Sequence, residues 1–138
     1  MIKICITSNI KKYYKGYIDF IDHYWINFFE KKKIEYSLLP NNFNLSKKML
    51  RKKNLLILSG GNDLFSNQKE AQIRNNVEKK LISEAINNNI PILGICRGAQ
   101  ILNQYFGGNI KKLKFHMRVR HNIYFENNNI FRFKKLNV

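Results

Sequence analysis

The amino-acid sequence predicts an α/β fold in which a doubly wound, mostly parallel sheet carries helices on both faces. Three observations predict it. Short apolar runs typical of buried strands alternate with segments of helical periodicity. Two of those runs end in polar, glycine-containing loops, at the sheet edge where such folds place their sites. The length of 138 residues suits one domain with a substantial core, so we expect residues 1–138 to form a single domain.

Four short apolar runs are predicted to be the strands of this sheet. Each is rich in isoleucine or leucine, and Pro40-Asn41-Asn42 is a turn signal after the second. Since helical segments separate the runs, they are expected to pair in parallel. The predicted strands are Ile2–Thr7, Ile34–Leu39, Asn54–Leu58 and Pro91–Ile95.

Four segments between and after these strands are predicted to be helices. The clearest repeats an apolar residue at every fourth position, and the first carries aromatic and isoleucine residues at helical spacing. The predicted helices are Tyr17–Lys33, Leu45–Lys53, Gln68–Asn88 (with Ile73, Val77, Leu81 and Ala85 on one face) and Ala99–Phe106. The remainder, Ile110–Val138, is predicted to form short strands around a turn at Asn127–Asn129.

The net charge of +16 is a weak guide to function. Lysine supplies 19 of the 25 basic residues, and Asn (20) and Ile (19) are equally abundant, which indicates a bias toward A/T-rich codons. The lysines are scattered at the ends of apolar segments, and no nucleic-acid-binding motif accompanies them. We therefore expect no specific nucleic-acid partner.

Other compositional features exclude several classes of protein. No apolar run approaches the ~20 residues of a membrane span, and the first residues do not resemble a signal peptide. Two distant cysteines, Cys5 and Cys96, suit a reducing compartment, so a cytoplasmic location without membrane association is expected. The three histidines and two cysteines show no metal-ligand spacing, so neither a metal nor another cofactor is expected.

The segment Gly94–Gly98 has the pattern of a nucleophile elbow. Gly94-Ile95-Cys96-Arg97-Gly98 follows a predicted strand and opens a predicted helix. Flanking glycines permit the close backbone approach that a sharp strand-to-helix turn requires, and a helix N-terminus stabilises a thiolate. The N–H of Arg97 would then be available to an oxyanion. The alternative is a structural cysteine at a glycine-bounded turn, which is the role expected of the mid-strand Cys5.

A second loop, Ser59–Asp63, ends the strand before the elbow strand. Its adjacent residues Gly60 and Gly61 tolerate positive φ and close approach by a substrate, so the loop can deliver a second backbone N–H to the same oxyanion. No Gly-Lys-Ser/Thr follows, which excludes a Walker phosphate loop. The alternative is a simple glycine-rich turn.

Together these segments resemble the class I glutamine amidotransferases. Within that superfamily they are similar to the γ-glutamyl hydrolase branch that includes γ-glutamyl-γ-aminobutyrate hydrolase. The predicted helical stretch Asp19–Phe29 is also similar to that branch. The strings that carry the resemblance are Leu58–Asp63 (LSGGND), Ile90–Asn103 (IPILGICRGAQILN) and Phe106–Gly108 (FGG).

The resemblance implies a flavodoxin-like fold and a role for each matching residue. Cys96 would attack the γ-carbonyl of a glutamyl amide and form a thioester. Gly61 or Gly60, together with Arg97, would supply the oxyanion-hole N–H groups. Substrate-binding positions would be Gln100, Gly98 and His121.

The resemblance also implies a triad histidine and glutamate close together downstream. Neither His116 nor His121 lies in a His-x-Glu pattern, and Glu126 is the one acidic residue after the elbow. We therefore expect the chain to be the N-terminal portion of an enzyme, with the C-terminal part missing, or a decayed homologue.

Four functions remain open at this point. The favoured one is cysteine-dependent hydrolysis of a small-molecule γ-glutamyl amide to glutamate and an amine. The alternatives are a glutaminase subunit that delivers ammonia to a synthase partner, a hydrolase of a γ-glutamyl nucleotide amidate in surface-polysaccharide synthesis, and a noncatalytic truncated homologue. Either a synthase or a second copy of the chain is a candidate partner.

Overall fold

A computed structural model of the chain describes residues 3–111, 120, 122–124 and 135–137. Within these residues, strands and helices alternate as expected of an α/β fold. In chain order they are β1 (Lys3–Thr7), β2 (Asn9–Tyr13), β3 (Gly16–Phe20), α1 (His23–Lys32), β4 (Glu35–Leu39), α2 (Phe43–Leu50), β5 (Leu55–Leu58), α3 (Lys69–Asn87), β6 (Ile92–Gly94), α4 (Arg97–Tyr105), β7 (Asn122–Tyr124) and β8 (Lys135–Asn137).

The main sheet has the strand order β4-β1-β5-β6, and each neighbouring pair is parallel. The register places Cys5 beside Leu56 and Leu58 beside Gly94. Parallel pairing brings the carboxyl ends of β5 and β6 to the same edge of the sheet, so the two loops singled out in the sequence are neighbours. The predicted doubly wound, mostly parallel architecture is confirmed.

Alternate residues of the central strands feed two separate cores, one on each face of the sheet. On one face, buried side chains of β1 and β5 pack with α2, α3 and α4; this core includes Cys5, Leu56, Leu58, Leu50, Leu81, Ile82 and Ile101. On the other face, the intervening strand residues pack against α1; this core includes Ile4, Ile6, Ile57 and Phe29. Helices therefore cover both faces, as the sequence predicts.

The helix predicted over Tyr17–Lys33 is wrong in its first part, and so is the helical assignment of Asp19–Phe29 at its start. The helix spans His23–Lys32, and the residues before it form β3, which pairs with β2 in an antiparallel hairpin. Tyr14 at the hairpin tip has φ 49°. All five residues of β3 are exposed. Because neither face of the strand is buried, its sequence lacks the alternation of apolar and polar residues that identifies strands.

Helix boundaries elsewhere differ from the predicted ones by a few residues. α2 begins at Phe43 because the Asn42 side chain caps it by accepting a hydrogen bond from the Leu45 N–H at 3.1 Å. α4 begins at Arg97, two residues earlier than predicted. β7 and β8 confirm short strands in the last part of the chain, whereas the predicted turn at Asn127–Asn129 lies outside the described residues.

Neither a membrane span nor a metal-binding cluster occurs in the described part of the chain. Among these residues there is no helix long and apolar enough to cross a membrane. The same residues hold no group of three or more His, Cys, Asp or Glu side chains placed to bind a metal ion.

Candidate active site

Cys96 occupies a strained turn between β6 and α4. Its backbone angles are φ 54° and ψ −114°, a region that residues with a side chain rarely adopt, and its side chain is exposed. The Gly98 N–H donates to the Ile95 carbonyl at 2.8 Å, and the Ala99 N–H donates to the Cys96 carbonyl at 3.0 Å. These bonds start the helix and leave Cys96 at its N-terminal end.

The glycines that flank Cys96 are required by the packing of the turn. A Cβ atom on Gly98 would lie 1.9 Å from the carbonyl oxygen of Leu58 in β5. One on Gly94 would lie 2.6 Å from the carbonyl oxygen of Gly98. The first turn of α4 therefore rests directly on the backbone of the sheet, and this contact fixes the position of Cys96.

The Gly60-Gly61 loop lies beside Cys96. A Cβ atom on Gly60 would stand 3.4 Å from Cys96 Cβ and 3.9 Å from Cys96 Sγ. The Ile95 N–H donates to the Leu58 carbonyl at 3.0 Å, which joins the two strand ends just before the two loops begin. A side chain at position 60 would therefore contact Cys96 at ordinary van der Waals distance, which places the loop beside the cysteine.

The hairpin strand β2 holds the far side of this loop. The Asn62 amide pairs with the backbone of Ile10: its Nδ2 donates to the Ile10 carbonyl at 2.8 Å, and its Oδ1 accepts from the Ile10 N–H at 3.2 Å. Gly61 has φ 100°, and a Cβ atom there would lie 1.7 Å from Oδ1 of Asn9. The positive φ favours glycine at position 61, and a side chain there would also displace the Asn9 amide.

A buried charge cluster lies beneath the loop and the elbow. Its centre is the Glu78 carboxylate on α3, which contacts Arg74 through Oε1 at 3.0 Å and Arg97 through Oε2. All three side chains are at most 2% exposed. Thr7 donates its hydroxyl proton to Glu78 Oε1 at 2.8 Å, and Arg97 also donates to Asn75 Oδ1.

Arg74 joins this cluster to the glycine loop. Its Nη2 donates to the carbonyl oxygens of Ser59 at 2.9 Å and Gly60 at 3.1 Å, and also to Ser59 Oγ at 2.9 Å. Its Nη1 donates to Oδ1 of Asn9 and of Asn62. Burial lowers the pKa of Arg74 below its ordinary value, and the neighbouring Glu78 carboxylate opposes that effect.

A cavity of about 230 Å³ opens beside the loop. Its lining is partly polar and partly aromatic, and it includes the two glycines. The lining residues are Asn9, Asp22, Tyr24, Trp25, Gly60 and Gly61. This space adjoins Cys96 through Gly60, so a small molecule bound there has the loop backbone on one side.

The two cysteines occupy opposite environments. Cys5 is fully buried in β1, and its burial raises the pKa of the thiol to about 11. Its thiol donates to the Met49 carbonyl at 3.6 Å. Cys96, in contrast, is exposed.

Comparison with known protein families identifies the family of this chain. The profile of the family described as "Glutamine amidotransferase class-I" matches residues 13–137. The chain belongs to the class I glutamine amidotransferase family.

Among other proteins, this amidotransferase chain is similar to γ-glutamyl-CDP-amidate hydrolase of Campylobacter jejuni. The two are 40% identical over 72 residues, which cover 51% of this chain and 36% of the Campylobacter protein. It is also 42% identical over 65 residues to a glutamine amidotransferase-like protein of Lactococcus lactis subsp. cremoris, covering 40% of this chain and 35% of that protein. The matches thus span about a third of the length of these relatives.

Solved structures show the same fold. A Thermoplasma acidophilum protein assigned to GMP synthase superposes on the whole chain with a TM-score of 0.70 and 25% identity, and 63% of that protein is covered. A glutamine amidotransferase of Thermotoga maritima superposes on 99% of the chain with a TM-score of 0.69 and 20% identity, and 58% of it is covered.

The remaining predicted site residues of this amidotransferase chain differ in their exposure. Gln100 is exposed in the first turn of α4, and Gly98 is buried against β5. The Arg97 side chain turns inward to Glu78, while its backbone N–H is at the first position of α4, where helices leave N–H groups without an intrahelical acceptor. His121 lies outside the described residues, as do His116 and Glu126.

Sequence reasoning missed the buried cluster of this amidotransferase domain. The buried face of α3 includes Ala71, Leu81 and Ala85, and the same helical stripe runs through Arg74 and Glu78. Charged residues on a core stripe are rarely buried unless they are paired, so their position in the periodicity was a usable signal.

Proposed function

We propose that Cys96 is the nucleophile of a γ-glutamyl amide hydrolase. Its sulfur attacks the γ-carbonyl carbon of the substrate, the carbon–nitrogen bond breaks, and the amine leaves with a proton. The γ-glutamyl group stays on Cys96 as a thioester, which water then hydrolyses to glutamate and the free thiol. Amides are poor electrophiles, so a sulfur nucleophile and preformed oxyanion donors both lower the barrier.

The observation that carries this proposal is the backbone of Cys96. An exposed cysteine with φ 54° and ψ −114° costs conformational energy that the surrounding contacts must offset. The strain lifts the side chain clear of the sheet at a helix start, next to the backbone of Gly60. The proposed oxyanion donors are the N–H of Arg97 and the N–H of Gly60 or Gly61. The residues proposed to bind the glutamyl group are Gln100, Gly98 and His121.

The similarity to γ-glutamyl-CDP-amidate hydrolase supports hydrolysis as the outcome. That relative is named for cleaving a γ-glutamyl nucleotide amidate, a substrate of the proposed class, and its match covers 51% of this chain.

A second candidate is a glutaminase that passes ammonia to a synthase partner. The similarity to the Thermoplasma protein, which is assigned to GMP synthase, supports it. The two candidates share the acylation step and differ in the substrate, since ammonia release requires glutamine itself.

Formation of the thioester tests the shared chemistry. The folded chain is mixed with L-γ-glutamyl-p-nitroanilide, release of p-nitroaniline is followed by absorbance, and intact mass spectrometry measures the protein. We expect one equivalent of p-nitroaniline in the first phase, and a mass increase of one glutamyl residue that peptide mapping assigns to Cys96.

Two cysteine variants provide the controls. Cys5→Ala removes the buried thiol and should still acylate, whereas Cys96→Ala should not. Absence of the adduct in folded wild-type chain, or its persistence in Cys96→Ala, would overturn the proposal.

Competition between substrates separates the two candidates. The acylation rate is measured with the anilide while L-glutamine or an N-substituted γ-glutamyl amide is added as competitor. A hydrolase of substituted amides predicts stronger competition by the substituted amide, and an ammonia-delivering glutaminase predicts stronger competition by L-glutamine.

A further inference from the structure

The loop carbonyls bound by Arg74 have a consequence for the oxyanion site. We propose that Arg74 is a positioning residue, which orients the N–H groups of Gly60 and Gly61 toward a substrate at Cys96. This inference rests on the proposed function, because it concerns the oxyanion that forms when Cys96 attacks a carbonyl. Arg74 itself is fully buried and does not touch the substrate.

The geometry of the peptide bond links the bound carbonyls to those N–H groups. In a trans peptide, the C=O of one residue and the N–H of the next point in opposite directions within one plane. Arg74 Nη2 holds the Ser59 carbonyl at 2.9 Å and the Gly60 carbonyl at 3.1 Å. The N–H groups of Gly60 and Gly61 are therefore directed away from the buried guanidinium.

The side away from Arg74 is the open side of the loop. Gly61 is exposed, and both glycines line the 230 Å³ cavity. Within the described part of the chain, neither glycine N–H donates a hydrogen bond to a protein acceptor. Two oriented donors without a protein partner, on a loop whose Gly60 lies beside Cys96, are what an oxyanion hole requires.

Glu78 connects Arg74 to the elbow through Arg97. Its two carboxylate oxygens contact Arg74 and Arg97 separately, so one rigid side chain connects the residue that holds the loop with the residue that follows the nucleophile. The loop donors and the Arg97 N–H thus belong to one buried assembly.

The competing explanation is that Arg74 only stabilises the fold. Two reactions of Cys96 distinguish this structural role from the positioning role. Acylation by a γ-glutamyl amide passes through a tetrahedral oxyanion and needs the donors. Alkylation by iodoacetamide is a direct displacement at carbon, in which no carbonyl addition occurs, so it reports only the accessibility and ionisation of the thiol. The ratio of the acylation rate to the alkylation rate therefore isolates the oxyanion donors.

The test measures this ratio in wild-type chain, Arg74→Lys and Arg74→Gln, with L-γ-glutamyl-p-nitroanilide and iodoacetamide as the probes. Lysine keeps the charge but cannot bind two carbonyls and Glu78 in one plane, and glutamine keeps a donor without the charge. We expect the ratio to fall about 10- to 100-fold in both variants, since loss of one oxyanion donor costs about 10²–10³-fold. The exposed Arg51→Lys is the matched control and should leave the ratio unchanged.

The outcomes separate failure of the proposed function from failure of the positioning role of Arg74. A wild-type chain that alkylates but never acylates defeats the proposed function. A wild-type chain that acylates, beside folded Arg74 variants with an unchanged ratio, defeats the positioning role alone. Equal losses of acylation and alkylation, or loss of the fold in both Arg74 variants by circular dichroism, would assign Arg74 to general structure and would also overturn it.

Discussion

Gly98→Ala is the substitution whose effect the structure determines most directly. The added Cβ would lie 1.9 Å from the Leu58 carbonyl oxygen, whereas real Cβ contacts essentially never lie below 3.0 Å. The first turn of α4 must therefore move away from β5 by about 1.1 Å or more, because the atom it meets is backbone and cannot rotate aside.

That displacement has an effect on stability and another on reactivity. Overpacking a core costs about 1–3 kcal/mol where side chains adjust, and we expect a loss of about 3 kcal/mol where a strand must yield. Cys96 lies two residues before Gly98, so its sulfur moves with the turn. A misplacement near 1 Å costs about 100-fold in rate, and we expect acylation of Cys96 to slow by that factor.

Urea unfolding followed by circular dichroism, combined with the anilide acylation assay, measures both effects. Gly16→Ala is the control, because the nearest atom to its Cβ is the Tyr13 carbonyl oxygen at 4.0 Å. Its unfolding midpoint and acylation rate should match those of wild type. If Gly98→Ala behaved like Gly16→Ala in both assays, the inferred contact between α4 and the sheet would be refuted.

Two further predictions follow from the glycine loop and from the buried thiol. In Gly60→Ala the new Cβ would lie 3.4 Å from Cys96 Cβ and 3.9 Å from Cys96 Sγ, which are ordinary contacts. The unfolding midpoint should therefore stay near that of wild type, while acylation slows about tenfold because the methyl group obstructs the sulfur. An unchanged acylation rate would contradict this prediction. Burial raises the pKa of Cys5 from 9.0 to about 11, so above pH 9 the unfolded chain releases a proton that the folded chain retains. Stability should therefore fall by up to about 3 kcal/mol between pH 9 and 11 relative to Cys5→Ala. Parallel stability curves for wild type and Cys5→Ala, measured by urea unfolding at each pH, would contradict the second prediction.

The sheet and its loops could be predicted from sequence because its central strands, β1 and β5, are buried on both faces. Such strands appear as continuous apolar runs, and Leu55–Leu58 is one of them. The two loops were identifiable because each follows such a run, and the elbow places a cysteine between glycines. The cysteine between glycines and the carboxyl ends of the parallel strands therefore indicated the same place for the site.

The hairpin could not be predicted for the opposite reason. Neither face of β3 is buried, so Tyr17, Ile18 and Phe20 merged with the aromatic residues of the following helix into one apparent helical pattern. The hairpin nevertheless supplies Asn9 and Ile10 to the glycine loop. A segment with no core of its own thus contributes to the site.

The buried cluster was missed because its members interact across the fold. Thr7, Arg74 and Arg97 lie on β1, α3 and α4, and only tertiary packing brings them to Glu78. The i,i+4 pair of Arg74 and Glu78 resembles an ordinary surface ion pair in sequence. The one sign of its burial in the sequence is its place on the apolar stripe of α3.

The composition of the cluster beneath the loop also sets an electrostatic potential. Two guanidinium groups share one carboxylate, so a positive charge remains in a region from which water is excluded. Exposed carboxylates nearby, such as Asp19 and Asp22, are screened by solvent, whereas a buried charge is screened much less. We therefore expect the field at the loop to favour a negative charge, such as the oxyanion of the proposed reaction. A buried cluster can thus act on bound charge at the loop without touching it.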